Sequence, residues 1–103
     1  GFMIKAEFFK KGDSLTGFKI TGHSGLAREG EYDIVCASVS SAAYMAANTI
    51  TDVIGDNAKI TVKNGYLSLV SDGHGETQTI LKGLELHLKA LAEDYPKYIK
   101  IKI

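Results

Sequence analysis

Apolar and polar positions change period four times along this chain. In "MIKAEFFK" (residues 3–10) Ile4, Ala6 and Phe8 alternate with Lys5 and Glu7. "KGDS" then supplies turn residues. In "LTGFKI" Leu15, Gly17 and Lys19 alternate against Thr16, Phe18 and Ile20, so this opening segment reads as a β-hairpin. From Ile34 to Ile54 the period lengthens: Val35, Val39, Ala42, Ala43, Ala46, Ile50, Val53 and Ile54 recur at steps of three and four, on one side of a central core helix that Gly55 should end. "AKITVK" and "YLSLVS" flank Asn64-Gly65, a pair suited to a type I′ hairpin turn. After "DGHGE", the residues Ile80, Leu81, Leu84, Leu88, Leu91 and Ala92 mark a second helix, which Pro96 stops before "YIKIKI" alternates again.

The predicted order is ββαββαβ. Each helix carries one apolar stripe and the strands alternate, so the expected fold class is α+β: two layers, one mainly antiparallel five-stranded sheet with two helices on one face. Phe8 and Phe9 point to opposite faces of the first strand, which puts apolar side chains on the uncovered side as well. A homodimer is the expected cover for that side.

With 103 residues, 45% of them hydrophobic and 23% charged, the chain suits a single domain over residues 1–103. Met3 can open the native reading frame, which would leave Gly1 and Phe2 as a remnant ahead of it. Twelve basic residues balance twelve acidic ones and the lysines are scattered along the sequence, so direct contact with nucleic acid is not expected. No charged segment precedes an apolar leader, and no uninterrupted apolar run approaches the ~20 residues a bilayer requires. The single cysteine has no partner for an internal disulfide. A cytoplasmic protein with no membrane contact and a reduced Cys36 is the expectation.

Candidate chemistry lies in "TGHSGLAREGEYDIVCASVSS", residues 21–41. Asp33 is a favoured N-cap type, which would make Ile34, Val35 and Cys36 the first helical positions and set the thiol among unpaired amides. Those amides would favour a thiolate and could hold an oxyanion, while His23, on a turn from Gly22 to Gly25, could fold back as general base and acid. The alternative is plain: Cys36 as a small buried apolar residue and His23 as polar surface. His74 sits between glycines that suit a turn equally well, and the leucine stripe explains the region of His87 without it. Zinc held by Cys36, His23 and His74 has no supporting spacing, and Gly73-x-Gly75 is too little for a nucleotide loop. No metal or cofactor is therefore expected. On the residues alone, a cysteine hydrolase and a non-enzymatic interaction domain stand level.

"GHSGLAREGEYDIVCASVS" also resembles the signature of the ribosomal-processing cysteine protease family, Prp: a G-H-[AS]-G turn, a short loop ending in D-I-V-C-A, then a helix of small residues. The motif occupies residues 22–40, and the element order agrees from Met3 onward. The resemblance implies a homodimeric bacterial endopeptidase that removes the N-terminal extension of a large-subunit ribosomal protein, cutting after a short motif with paired aromatics. It makes Cys36 the nucleophile and His23 the catalytic histidine, with Asp33 either orienting the imidazole or capping the helix. The loop from Ser24 to Tyr32, which includes Gly25 and Gly30, matches the family's segment that moves when substrate binds. "AEFFKKG" contains paired aromatics of its own, but strand pairing explains them. A reading of another class, a dimeric ribosome-assembly module without catalysis, predicts that the cell does not need Cys36.

Overall fold

The computed structural model describes residues 3–22, 30–73 and 75–103. Strands β1 (Ile4–Lys11) and β2 (Ser14–Thr21) form the opening antiparallel hairpin, and β3 (Lys59–Lys63) and β4 (Tyr66–Val70) form the second. Helix α1 (Glu31–Asn48) continues into a π-helical stretch, Thr49–Ile54, and α2 (Glu76–Asp94) leads to the last strand, β5 (Ile99–Lys102). The order ββαββαβ is the predicted one. The sheet runs β3-β4-β2-β1-β5, antiparallel except for β1 and β5, which are parallel.

Register explains the core. Directly paired residues share a face, and the pairs Ala6 with Ile20, Phe8 with Phe18, Ile20 with Leu67, Phe18 with Leu69 and Ile4 with Ile99 all fall on one side. That side meets the apolar stripes of both helices: Val35, Val39, Ala43, Ala46 and Ile50 from the first and its extension, Leu81, Leu84 and Leu88 from the second. The continuous helix Tyr32–Ile54 has 23 residues and a mean hydropathy of 1.2, enough by length and composition to cross a bilayer. Its inward stripe instead packs on the sheet, as the core helix of a globular domain does.

Local details depart from expectation in three places. A β-bulge in the β1–β2 ladder skips Thr16: Phe9 faces Gly17, but Lys10 faces Leu15. The extra residue reverses the alternation, so Leu15 joins Phe18 in the core instead of Lys19 on the other face. A Cβ on Gly17, within this bulge, would lie 2.0 Å from the Leu69 carbonyl oxygen, so no larger residue fits. In the turn after β3 Gly65 alone takes positive φ (71°), so Asn64-Gly65 is not a type I′ turn. Helix α1 begins at Glu31 after Gly30, and no side chain caps it, so Asp33 is its third residue and not its N-cap. Gly55, with φ 80°, ends the helical run as predicted.

The second face of the sheet also differs from expectation. Pairing gathers Lys5, Lys19, Lys59, Lys63, Lys100 and Lys102 on it, because lysines scattered in sequence occupy every second position of strands that lie side by side. That face is basic, not a continuation of the apolar core. Val70, 48% exposed, is an apolar side chain on it; others stand on the helices, at Ile34, Met45, Val53 and Leu86, and on edge strand β3, at Ile60 and Val62.

The start of α2 is tied down by polar contacts. The Asp56 carboxylate accepts from the hydroxyls of Ser71 (2.8 Å) and the buried Thr77 (2.6 Å). Gln78 reaches back to β2 like an added strand: its Oε1 accepts from the Leu15 amide at 2.7 Å, while Nε2 donates to the carbonyls of Leu15 and Gly73. Asp56→Ala removes two charge-assisted bonds and leaves the Thr77 hydroxyl buried without an acceptor, so it should cost about 2 kcal/mol, the partial exposure of the carboxylate limiting the loss. Urea unfolding of the variant beside the parent measures this, and an unchanged midpoint would contradict it.

Candidate active site

The site is built where β2 ends and α1 begins. Gly22 follows β2 with φ +91°, and a Cβ there would lie 2.2 Å from the Met3 carbonyl oxygen, so glycine is required by both conformation and space. Its amide donates to the Gly65 carbonyl at 3.1 Å. Its own carbonyl accepts from the Tyr32 hydroxyl at 2.6 Å. The residue immediately before His23 is thus fixed from three sides.

Tyr32 does the fixing from the helix. It is the second residue of α1, buried, and packed edge-on against Tyr98 with ring centroids 5.8 Å apart. Tyr98 in turn holds the start of β1, its carbonyl accepting from the Ile4 amide at 2.7 Å. Cys36 stands four residues after Tyr32, one helical turn of about 5.4 Å along the same face. Its side chain is 9% exposed, at the margin of the core cluster beside Val35 and Val39.

The helix start changes the local electrostatics expected for the thiol. The first turn leaves the amides of Glu31, Tyr32 and Asp33 without helical acceptors, and the Ile34 amide makes the first helical bond, a long one of 3.4 Å to Gly30. Cys36 therefore lies one turn inside the helix, beyond those three amides. Asp33 is half-buried at the third helical position, three residues before Cys36 and so its neighbour on the helix surface. A carboxylate there favours the helix start through the macrodipole without a capping bond.

Of the residues singled out by sequence, the structure brings together Cys36, Asp33, Tyr32 and the backbone of Gly22. Gly30 leads into the helix with φ +95°. Tyr32, assigned to the gating loop by the motif, is a buried helical residue. His23, Ser24, Gly25 and His74 lie outside the described residues. His87 lines the groove between α1 and α2. The anchoring pair Tyr32 and Tyr98 had no signature in the sequence, because an aromatic clamp across distant segments has neither period nor spacing.

Comparisons with known proteins extend this geometry. The family model for cysteine protease Prp matches residues 3–100. No curated protein matches the chain. Among solved structures, SMU.848 from Streptococcus mutans is 27% identical, with a TM-score of 0.86 over 98% of this chain and 93% of that one. The essential ribosomal processing protease Prp from S. aureus, in complex with a substrate peptide, is 24% identical, with a TM-score of 0.86 over 97% of this chain and 98% of that one. The same S. aureus protease with a covalently linked product peptide gives a TM-score of 0.84 at 24% identity, with the same coverage. The match over residues 3–100 takes in β1 to β4, both helices and the start of β5, with the Gly22 anchor and the Cys36 helix, and on that ground the chain belongs to the Prp family of cysteine proteases.

Proposed function

We propose that this protein is a cysteine endopeptidase that removes the N-terminal extension of a large-subunit ribosomal protein, cutting after a short motif with paired aromatics. The observation that carries this reading is the placement of the single cysteine one turn beyond the tyrosine that anchors the chain beside His23. Family membership supports it, as do the substrate and product peptides held by the S. aureus protease of the same fold.

In this mechanism the His23 imidazole takes the proton from Cys36 Sγ, and the thiolate attacks the scissile carbonyl carbon. The tetrahedral intermediate collapses, the C–N bond breaks, and His23 returns the proton to the leaving amine. A thioester remains on Cys36. Water, deprotonated by His23, attacks it; the carboxylic acid leaves and the thiol is restored. Asp33, next to Cys36 on the helix, orients the imidazole. Every step runs on side chains and water, in a cytoplasmic setting that keeps Cys36 reduced.

The working unit in this reading is a homodimer joined through the helices. A groove of about 670 Å³ between α1 and α2 is lined by Ala42, Met45, Ala46, Ile80, Gly83 and Leu84 among others, and Met45 beside it is 63% exposed. A second copy would cover apolar surface that a monomer leaves in water.

Three outcomes test these statements. Incubated with a ribosomal protein that carries its extension, the parent chain should yield the shortened product by mass. Cys36→Ala and His23→Ala should yield none while keeping the far-ultraviolet dichroism of the parent; full cleavage by Cys36→Ala would return the chain to the assembly-module reading. Tyr32→Phe removes the bond to Gly22 and should lower stability by about 1 kcal/mol but kcat by about tenfold, because the segment beside His23 loses its alignment. A kcat equal to the parent's would show that the clamp has no part in turnover. Light scattering should report twice the 11.1 kDa chain mass, and Met45→Glu should reduce it to one; a parent at 11.1 kDa contradicts the dimer.

A further inference from the structure

The open face of the sheet is organised in rows. One row crosses all five strands as Lys63, Tyr66, Thr21, Lys5 and Lys100; the next runs Thr61, Ser68, Lys19, Glu7 and Lys102; a third holds Lys59, Val70, Gly17 and Phe9. Half of the chain's twelve basic residues stand here, and Glu7 is the sole acidic residue among the described strands. A neutral chain thereby carries one strongly cationic face, the other described acidic residues lying outside the strands. Neighbouring strands lie ~4.8 Å apart, so the row from Lys63 to Lys100 is about 19 Å long.

Among the described residues one ion pair engages this set of lysines. Lys19 pairs with Glu7 at 3.6 Å, both side chains about one-third exposed. Among the described residues no ion pair holds Lys5, Lys59, Lys63, Lys100 or Lys102. Protection of sheet edges against pairing with other chains explains lysines on β3 and β5. It does not explain Lys5 and Lys19, which sit on interior strands and face the same way. Lys5, Glu7, Lys19, Thr21, Lys100 and Lys102 line a depression of about 390 Å³.

Aromatic surface is interleaved with the charge. Tyr66 is half-buried in the first row, its ring lying 5.8 Å from Lys63 Nζ, and Phe9 is half-buried in the third. The long exposed lysine over the tyrosine can swing toward a phosphate and leave the ring face to a base. An acidic peptide or an anionic lipid surface would use the lysines but not the ring. A sheet with lysines for the backbone, a ring for a base and the hydroxyls of Thr21 and Thr61 between them suits a single-stranded polymer that also carries 2′-hydroxyls. From this juxtaposition we propose that the open face of the sheet binds single-stranded RNA, on the side of the domain opposite the helices.

Fluorescence anisotropy with a short fluorescein-labelled oligouridine, on the full chain, tests the proposal. Binding should weaken steeply as salt rises, since each phosphate contact releases a counterion. Lys5→Glu and Lys100→Glu should each weaken it by about tenfold, and Tyr66→Ala by about tenfold through lost stacking. Lys82→Glu, on α2, should leave it unchanged. Glu7→Gln removes the one negative charge of the face and should tighten binding, a gain that misfolding cannot imitate. No binding at low salt, binding indifferent to Lys5→Glu and Lys100→Glu, equal affinity for oligodeoxythymidine, or tighter binding to polyglutamate or to phosphatidylserine vesicles would each overturn the assignment.

Discussion

Five short strands whose inward residues are apolar and whose outward residues are polar leave the helices one place to go. Ile4, Ala6, Phe8, Phe18, Ile20, Leu67 and Leu69 form a continuous apolar plane, and burying it is the dominant favourable contribution to folding. Both helices must therefore lie on the same side. The rest of the architecture follows from this constraint. The start of α1 is brought against the end of β2, the turn of helix carrying Cys36 lies over the sheet, and the opposite face is left to water and to whatever charged matter meets it.

Most of that plan was legible in the residues, because period is a direct record of which side chains face inward. The alternation in "KAEFFK" and "YIKIKI" and the three-four spacing of Val35, Val39, Ala43, Ala46 and Ile50 located the strands and helices within a few residues. Errors fell where geometry is decided by something other than period. Thr16 has no marker that distinguishes a bulge residue from an ordinary strand residue, so alternation alone puts Leu15 on the wrong face. Asp33 is a good N-cap by type, but the helix extends to Glu31 because Tyr32 gains a buried site and a hydrogen bond as a helical residue. Tertiary contact overrode a local preference.

The same distinction applies to function. Cys36 and His23 could be singled out because their chemistry is rare and their setting matches a motif. Tyr32 could not, since its role depends on partners ten and more residues away, Gly22 on one side and Tyr98 on the other. The cationic face was hidden for a similar reason. Counting charges along the chain finds balance, whereas strand pairing sorts those charges by side, and only the sorted pattern has a field.

The parallel pairing of β1 with β5 has a bearing on how the protein comes into being. Ile4 finds its neighbour in Ile99, and the amide of Ile4 bonds to the carbonyl of Tyr98, so the first strand waits for α2 and β5 before its second edge is filled. Contacts of such long sequence separation are late and slow to form. During synthesis every element from α1 to α2 leaves the ribosome before Tyr98 can reach Tyr32. The helix that carries Cys36 thus acquires its aromatic support last, and a nascent or truncated chain lacks the seat on which the thiol is aligned.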